Sequence, residues 1–324
     1  MAPIKSNEQA TPGKVLVVGS MNMDYVLQTE RLPHKGETLP AKNFLTVFGG
    51  KGMNQSVAIK RLGGDALMIG CLGRDTDGDN LLQGLEKEGL SPQWIDRSDS
   101  VNTGIAFITV SDQGDNTIVV HPGSNHALSV DWVQQALQAN RDAAVLVLQM
   151  EIPLEVIIFT IETAYAYGIP VVLNPSPYKE IPTKTLQKVH TLIVNEVEAV
   201  QVAESLGFLK ESEVQGNEDP NALVALLAKS KIPRIILTKG DQGVYYNADK
   251  NSLRHQEARK VSVVDPTAAG DSFLGAYVAG RCRGYTLDQA VSYGIYAGAL
   301  AVTKAGAQPS IPTAGDLKNS GWRE

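Results

Sequence analysis

Cysteine is scarce in this 324-residue chain, which has only Cys71 and Cys282. The two lie far apart among apolar or small residues, a setting typical of reduced, buried thiols rather than of a disulfide framework. The five histidines show no zinc-ligand spacing, and no H-E-x-x-H motif occurs. We therefore predict neither structural disulfides nor a transition-metal site.

Long hydrophobic runs and dense positive charge are also missing. No run approaches the roughly 18 apolar residues of a spanning helix, and residues 1–8 lack the apolar core of a signal peptide. Lys and Arg number 29 against 35 Asp and Glu, a net charge of −6 with no basic cluster. We expect a cytosolic protein, with the nucleus left open. Its partners should be small molecules, not nucleic acid or a membrane surface.

The composition is that of a globular protein, with 43% apolar and 20% charged residues. Residues 1–13 are polar, contain two prolines and are predicted to form a flexible tail. Residues 14–324 are predicted to form the folded α/β domain.

Short apolar runs separated by helical patterns dominate this domain. Their continuous rather than alternating character predicts strands that are buried on both faces of a doubly wound, mostly parallel sheet. The runs are Val15–Val18, Ala66–Ile69, Val145–Leu148, Val171–Leu173, Leu192–Val194 and Ile235–Leu237. Polar or glycine residues follow them, and ligands of such sheets bind beyond the carboxyl ends of the strands.

Two stretches, 24–48 and 101–121, break this pattern with β-rich or alternating sequence and a turn at 112–115. They predict a small antiparallel sheet inserted in the α/β domain. Its apolar face needs a cover, so it would serve as a lid over the substrate, as a dimer contact or as both. A hairpin that simply packs on the body is the alternative.

The segment 265–273 carries the strongest chemical signal. Ala268, Ala269 and Gly270 are small residues at the start of a predicted helix, where backbone N–H groups and the helix dipole form an anion hole. Asp271 in the first turn would then act as a general base near a transferring phosphoryl group. The alternative is that Asp271 only caps the helix.

A second signal lies in the glycine-rich segment 48–55, which matches neither the P-loop nor the dinucleotide fingerprint. Its glycines would allow the backbone to approach a polyhydroxylated ligand, with Lys51 and Asn54 as hydrogen-bond donors. Asn22 and Asp24, after the first strand, carry groups that bind sugar hydroxyls. Ordinary turns would also explain both segments.

Together these segments resemble the ribokinase family of ATP-dependent sugar kinases, from about residue 15 to residue 312. The resemblance rests on seven separated motifs in the family's order. They are Gly19–Asp24, Gly49–Asn54, Leu173–Pro177, Asn195–Ala199, Thr238–Gly243, Asp265–Asp271 and Gly306–Ser310.

The resemblance implies transfer of the γ-phosphoryl group of ATP, with Mg²⁺, to the 5-hydroxyl of D-ribose. Asp271 would be the catalytic base, and Ala268, Ala269 and Gly270 would hold the developing charge. The implied sugar-binding residues are Asn22, Asp24, Gly50, Lys51, Gly52, Asn54, Glu151 and Asp271. The implied ATP-binding residues are Asn195, Glu198, Thr238, Lys239, Gly240, Asp241, Gln242, Gly243, Gly270 and Ile295.

The family resemblance also implies activation by a monovalent cation, usually K⁺, and a homodimer formed through the lid sheets. The implied cation ligands are Asp265, Thr267, Ala301, Lys304, Gly306 and Ser310. Two positions depart from the family pattern. Pro266 removes a backbone donor, and Ile295 stands where a polar residue can face the base, which leaves base preference open.

Three alternatives remain at this point. The acceptor would be another pentose, deoxyribose or a nucleoside if lid residues such as Ala106 and Ile108 shape a different pocket. A noncatalytic sugar-binding regulator would not need a base beside an anion hole. A dehydrogenase would fit the sheet, but its dinucleotide fingerprint is missing.

Overall fold

A computed structural model of the protein describes residues 13–209, 219–249 and 252–324. Residues 1–12 of the predicted tail lie outside these ranges. The described strands are β1 Lys14–Val18, β2 Asn22–Thr29, β3 Asn43–Gly49, β4 Asp65–Gly73, β5 Trp94–Ser98, β6 Gly104–Ser111, β7 Asn116–His121, β8 Val145–Leu148, β9 Val171–Leu173, β10 Thr191–Val194, β11 Arg234–Thr238, β12 Val244–Asn247 and β13 Leu253–Gln256.

Most strands join one large twisted sheet. Within the described residues its order is β13-β12-β11-β10-β9-β8-β1-β4-β5, parallel from β11 to β5 and antiparallel at β11-β12 and β12-β13. The apolar runs form its central strands because their side chains are buried on both faces. The predicted doubly wound α/β fold is thus confirmed.

Helices cover both faces of this sheet. They are α1 Lys51–Arg61, α2 Thr76–Lys87, α3 Val130–Ala139, α4 Leu154–Tyr167, α5 Thr183–Leu186, α6 Glu196–Ser205, α7 Pro220–Ala228, α8 Ala269–Cys282, α9 Leu287–Ala301, α10 Ala307–Ser310 and α11 Ala314–Asn319. Among the described residues, none of these helices combines the length and apolar character needed to cross a membrane.

Alternate residues of β1 show how the two helical layers are held. Val15 and Val17 pack into a core with α1, α2, α8 and α9. Leu16 and Val18 point the other way, into a core with α3, α4, α6 and α7. The period of two along the strand therefore divides one sequence run between two cores.

The two inserted stretches form a separate four-stranded sheet with the order β3-β2-β6-β7 in the described chain. Its outer pairings, β2-β3 and β6-β7, are antiparallel, whereas β2 and β6 at its centre are parallel. A parallel pair needs a long crossover connection, and α1, β4, α2 and β5 provide it between β2 and β6. The small sheet is therefore attached to the body at several points.

Candidate active site

The site lies where the carboxyl ends of the central strands meet the N-terminal ends of α1 and α8. Gly19 and Ser20 follow β1, Gln149 to Glu151 follow β8, and Asn174 follows β9. Residues distant in sequence, such as Ser20 and Glu151 with a separation of 131 positions, meet there because parallel strands end at one edge of the sheet.

Asp271 is a buried carboxylate in the first turn of α8, with 7% of its surface exposed. Its Oδ2 accepts a hydrogen bond from Asn54 Nδ2 at 3.0 Å, and its Oδ1 accepts one from Gln55 Nε2 at 2.9 Å. Helix α8 begins after Ala268 with no side-chain capping hydrogen bond. Asp271 is therefore not a capping residue, because its side chain contacts α1 instead.

The N-terminus of α8 presents free backbone donors beside Asp271. Ala268 adopts a left-handed conformation with φ 61° and ψ 9°, which turns the chain sharply into the helix. The N–H of Ala269 donates to the Pro266 carbonyl at 3.3 Å. The N–H groups of Gly270 and Asp271 have no intrahelical partner, as in the first turn of any helix, and with the helix dipole they attract an anion. In the predicted anion hole, the Gly270 N–H is thus a better-placed donor than the Ala269 N–H, which already has an acceptor.

The predicted sugar residues gather at the other side of Asp271. Glu151 Oε2 accepts from Ser20 Oγ at 2.5 Å and from the Lys51 backbone N–H at 3.0 Å. Asn22 Oδ1 accepts from Asn125 Nδ2 at 2.7 Å. These bonds hold Asn22 on β2 in place and attach Glu151, after β8, to the start of α1.

Asp24 on β2 is buried beside this group, and glycine is required opposite it. A Cβ at Gly49 would lie 2.1 Å from Asp24 Oδ2. Burial, reinforced by the charge of Glu151, raises the pKa of Asp24 to about 7. A buried carboxylate of this kind is a strong acceptor for ligand hydroxyl groups.

Gly50 and Gly52 allow α1 to begin directly against the β1–β2 connection. Gly50 has φ 85°, a left-handed value that favours glycine, and a Cβ there would lie 2.8 Å from the Asn22 backbone nitrogen. A Cβ on Gly52 would lie 2.6 Å from the Ser20 backbone nitrogen. The predicted glycine positions are therefore required for close backbone approach.

Lys51 carries the positive charge of the site. Burial alone would lower the pKa of Lys51, but the nearby carboxylates of Asp271, Glu151 and Glu198 together raise it above its ordinary value. The ammonium group therefore stays charged between the sugar residues and the N-terminus of α6. A charge in this position suits an anionic ligand.

Two adjoining cavities lie at the start of α8, and Asp271 lines the first of them. The first, of about 300 Å³, is polar and is lined by Lys51, Asn195, Glu198, Gly270 and Asp271 among others. Asn195 and Glu198 form the capping box of α6, with the Glu198 N–H donating to Asn195 Oδ1 at 2.8 Å and the Asn195 N–H donating to Glu198 Oε2 at 3.0 Å. The cavity has the size and charge for phosphate groups.

The second cavity, of about 520 Å³, is more apolar and shares Thr238, Pro266 and Gly270 with the first. Gly240, Asp241, Gly243 and Ile295 of the predicted nucleotide residues line it. Lys239 is turned to Glu196, with 2.9 Å between Nζ and Oε1, and the carbonyl of Gln242 lies 2.7 Å from His255 Nε2. The volume and apolar walls of this cavity suit a flat, mostly apolar group.

The predicted cation residues lie in two segments that Asp265 joins, one before α8 and one from the end of α9 to the end of α10. Its Oδ1 accepts from the Thr267 N–H at 2.9 Å and its Oδ2 from the Gly306 N–H at 2.8 Å. The Ala301 carbonyl accepts from the Lys304 N–H at 3.2 Å, and Ser310 Oγ donates to the Ala307 carbonyl at 2.8 Å. Oxygen-rich loops of this kind suit a hard monovalent cation.

No group of three or more His, Cys, Asp or Glu residues suited to a metal ion occurs in the described part of the chain. The carboxylate of Glu198 and the polar lining of the first cavity nevertheless fit Mg²⁺ that arrives with nucleotide phosphates, since that ion keeps much of its water shell.

Four residues absent from the predicted set also belong to the site: Gln55, Gln149, Asn174 and Asn125. Gln149 and Asn174 stand at strand exits, and Gln55 lies in the glycine-rich segment. Asn125 has no local sequence signal, because it lies in a short 3-10 turn, Gly123–Ala127, that reaches β2 only in the fold.

Comparison with known proteins agrees with this geometry. The pattern of the pfkB family of carbohydrate kinases matches residues 13–314. The ribokinase of Staphylococcus aureus (strain COL) is 37% identical over 302 residues, which cover 92% of this chain and 96% of the relative.

Two solved structures are also similar. The ribokinase of Thermotoga maritima superposes with a TM-score of 0.84 at 32% identity, covering 95% of this chain and 98% of that one. The Arabidopsis thaliana ribokinase complexed with ribose and ATP gives a TM-score of 0.82 at 26% identity, with the same coverage. The chain belongs to the pfkB family of carbohydrate kinases.

Proposed function

We propose that this protein is an ATP-dependent ribokinase that transfers the γ-phosphoryl group of ATP to the 5-hydroxyl of D-ribose. The observation that carries the proposal is the position of Asp271. Its buried carboxylate lies at the N-terminus of α8, between a cluster of sugar-binding groups and a polar cavity lined by Lys51 and Glu198. Ribose-binding and ATP-binding relatives support the choice of substrates.

The sugar is held by the cluster on β2, α1 and the end of β8. Asp24 and Glu151 accept hydrogen bonds from ring hydroxyls, and Asn22 and Asn54 offer amide groups. Gly50 and Gly52 keep the backbone close. The pocket thereby directs the primary hydroxyl towards Asp271.

The chemical step needs one base and a site for negative charge. Asp271 takes the proton of the 5-hydroxyl while the hydroxyl oxygen forms a bond to the γ-phosphorus. The bond between the γ-phosphorus and the β-phosphate oxygen breaks and releases ADP. The N–H groups at the start of α8 and the Lys51 ammonium stabilise the charge on the transferring group. Mg²⁺, when bound near Asn195 and Glu198, neutralises phosphate charge.

Three further features belong to the proposal. K⁺ bound beside Asp265 would fix the start of α8, because residues 265–268 lead directly into that helix. A second copy of the chain would cover the apolar surface of the small sheet. A cytosolic location is supported by Cys71 and Cys282, which are both free thiols.

Release of ADP from MgATP tests the proposal, with purified protein in K⁺ buffer and a panel of D-ribose, 2-deoxyribose, fructose, adenosine and inosine. We expect turnover that depends on D-ribose. Turnover with a nucleoside alone would move the acceptor to another class. If no acceptor causes ADP release and calorimetry shows that ribose binds, the protein is a noncatalytic sugar binder.

A further inference from the structure

A chain of buried amide groups leads from the end of β8 to Asp271. Gln149 Nε2 donates to Gln55 Oε1 at 2.6 Å, and Gln55 Nε2 donates to Asp271 Oδ1 at 2.9 Å. The second hydrogen of the Gln55 amide faces Asn174 Oδ1 at 3.4 Å. Gln55 and Gln149 are both 0% exposed, so water does not compete for these bonds.

The direction of the chain is set by the charge at its end. An ionised carboxylate only accepts hydrogen bonds, so Gln55 must turn its NH₂ group towards Asp271. Its oxygen then faces Gln149, which must in turn present its own NH₂ group. Reversing either amide would place two oxygens in contact in a buried site.

Two buried oxygens are left unpaired by this arrangement. Among the described residues, Gln149 Oε1 and Asn54 Oδ1 have no hydrogen-bond partner. Gln149 Oε1 occupies space that only a glycine leaves free, since a Cβ at Gly19 would lie 2.1 Å from it. An unsatisfied buried acceptor destabilises a fold, and these two are left by keeping the Asn54 amide directed at Asp271 and the Gln149 amide directed at Gln55.

We propose that Gln55 is a positioning residue for the catalytic base and that Gln149 fixes the orientation of Gln55. The hydrogen bond from the Gln55 amide to Oδ1 holds the Asp271 carboxylate in one rotamer. Gln149 acts one step further away, through Gln55. This inference rests on the proposed role of Asp271 as the base.

Gln55→Met tests the proposal by replacing the amide with an unbranched side chain of similar size that donates no hydrogen bond. We expect kcat to fall about 10- to 100-fold, because the Asp271 carboxylate loses the hydrogen bond that fixes its orientation. The KM for D-ribose should change less than about twofold, since Gln55 is not among the sugar-binding groups.

Gln149→Met should reproduce the same changes to a smaller extent. The double variant should be no slower than Gln55→Met, because the two residues act in series. Asn140→Leu is the matched control. It removes a buried, hydrogen-bonded amide at the amino end of the sheet, where Asn140 binds Lys14 and Ala136, and should lower stability without changing kcat or its pH profile.

Gln55→Glu provides a second, isosteric variant if the methionine variant fails to fold. It places a carboxyl beside Asp271, and two neighbouring carboxyls share one proton. The acid limb of kcat should then move up by more than one pH unit, with activity recovering at high pH. A purely structural role of Gln55 predicts no such recovery.

The outcomes separate this inference from the proposed function. Full turnover by Asp271→Asn would remove the base assignment and the inference with it. If Asp271→Asn is nearly inactive while folded Gln55→Met and Gln55→Glu keep the unmodified kcat and pH profile, the positioning role alone is wrong.

Discussion

Asp24 and Asp271 are both buried carboxylates, but their surroundings differ. Asp271 accepts hydrogen bonds from two amides and has the charged Lys51 nearby. Asp24 has a carboxylate neighbour, Glu151, and its pKa is raised to about 7. In the proposed function, Asp271 is therefore a base of fixed orientation, and Asp24 is a sugar-binding group whose charge changes with pH.

Substitution of Asp271 tests its role as the base. Asp271→Asn keeps the size of the side chain but cannot take up the hydroxyl proton at neutral pH, so we expect kcat to fall about a thousandfold or more. Binding of D-ribose, measured by calorimetry, should persist. Asp316→Asn, which alters a capping carboxylate on α11, is the control and should keep normal kcat. Near-normal turnover of Asp271→Asn would exclude Asp271 as the base.

Binding of the sugar should depend on the ionisation of Asp24. Burial raises the pKa of this group to about 7, so the carboxyl is protonated below that pH and ionised above it. Since the ionised form accepts hydrogen bonds from two hydroxyl groups, the Kd for D-ribose should fall as pH rises from 5.5 to 8.5. Asp24→Asn should bind more weakly and without this dependence. An unchanged pH dependence in the Asn variant would assign it to another group.

At the scale of elements, the sequence predicted the strands and helices that a local hydrophobic pattern defines. Continuous apolar runs such as Val145–Leu148 correctly indicated parallel strands, because burial on both faces selects such residues. The parallel pairing of β2 with β6 was not predictable, since the two strands are joined only through a long crossover.

The amide chain behind Asp271 was missed for a similar reason. Gln55 and Gln149 are 94 positions apart, and neither shows any periodicity or spacing that marks it as a partner. Their pairing depends on where α1 and the end of β8 meet in three dimensions. The family resemblance implied sugar-binding and nucleotide-binding residues but assigned no role to the amides of Gln55 and Gln149.

The segment 265–268 leads into α8, and Asp265 accepts a hydrogen bond from the Gly306 N–H, so the order of this segment should control the anion hole. Replacing K⁺ by tetramethylammonium, which is too large for a site of backbone oxygens, should lower kcat about tenfold or more. Asp265→Asn weakens the bonds to Thr267 and Gly306 and should raise the K⁺ concentration needed for half-maximal activity. Asp316→Asn should leave the K⁺ requirement unchanged. Equal rates in both cations would exclude the cation site.

At the scale of the whole molecule, the small sheet carries six of the exposed large apolar side chains of the described residues, namely Phe44, Leu45, Phe107, Ile118, Val119 and Val120. Its register places Leu45, Val26, Ile108 and Ile118 side by side on the face that also carries Asp24. Tyr25, Phe44 and Phe107 stack on the opposite face, with centroid distances of 6.0 Å and 5.5 Å from the Tyr25 ring. Apolar side chains are therefore exposed on both faces.

A second copy of the chain should cover the face that carries Asp24, because that apolar row continues directly from the sugar pocket. Ile118→Asp should therefore give a monomer in sedimentation velocity and raise the KM for D-ribose several-fold, since the pocket loses part of its cover. Val119→Asp is the matched control, because Val119 is 69% exposed against 54% for Ile118 but points to the opposite face.

The pair of variants decides which face associates. If Ile118→Asp is a monomer and Val119→Asp stays a dimer, the second copy covers the face that carries Asp24. The reverse result would place it on the aromatic face of Tyr25 and Phe107, away from the substrate. If the unmodified protein sediments as a monomer at micromolar concentration, the small sheet serves as a lid within one chain, and the exposed residues of its Asp24 face close over the sugar of their own subunit.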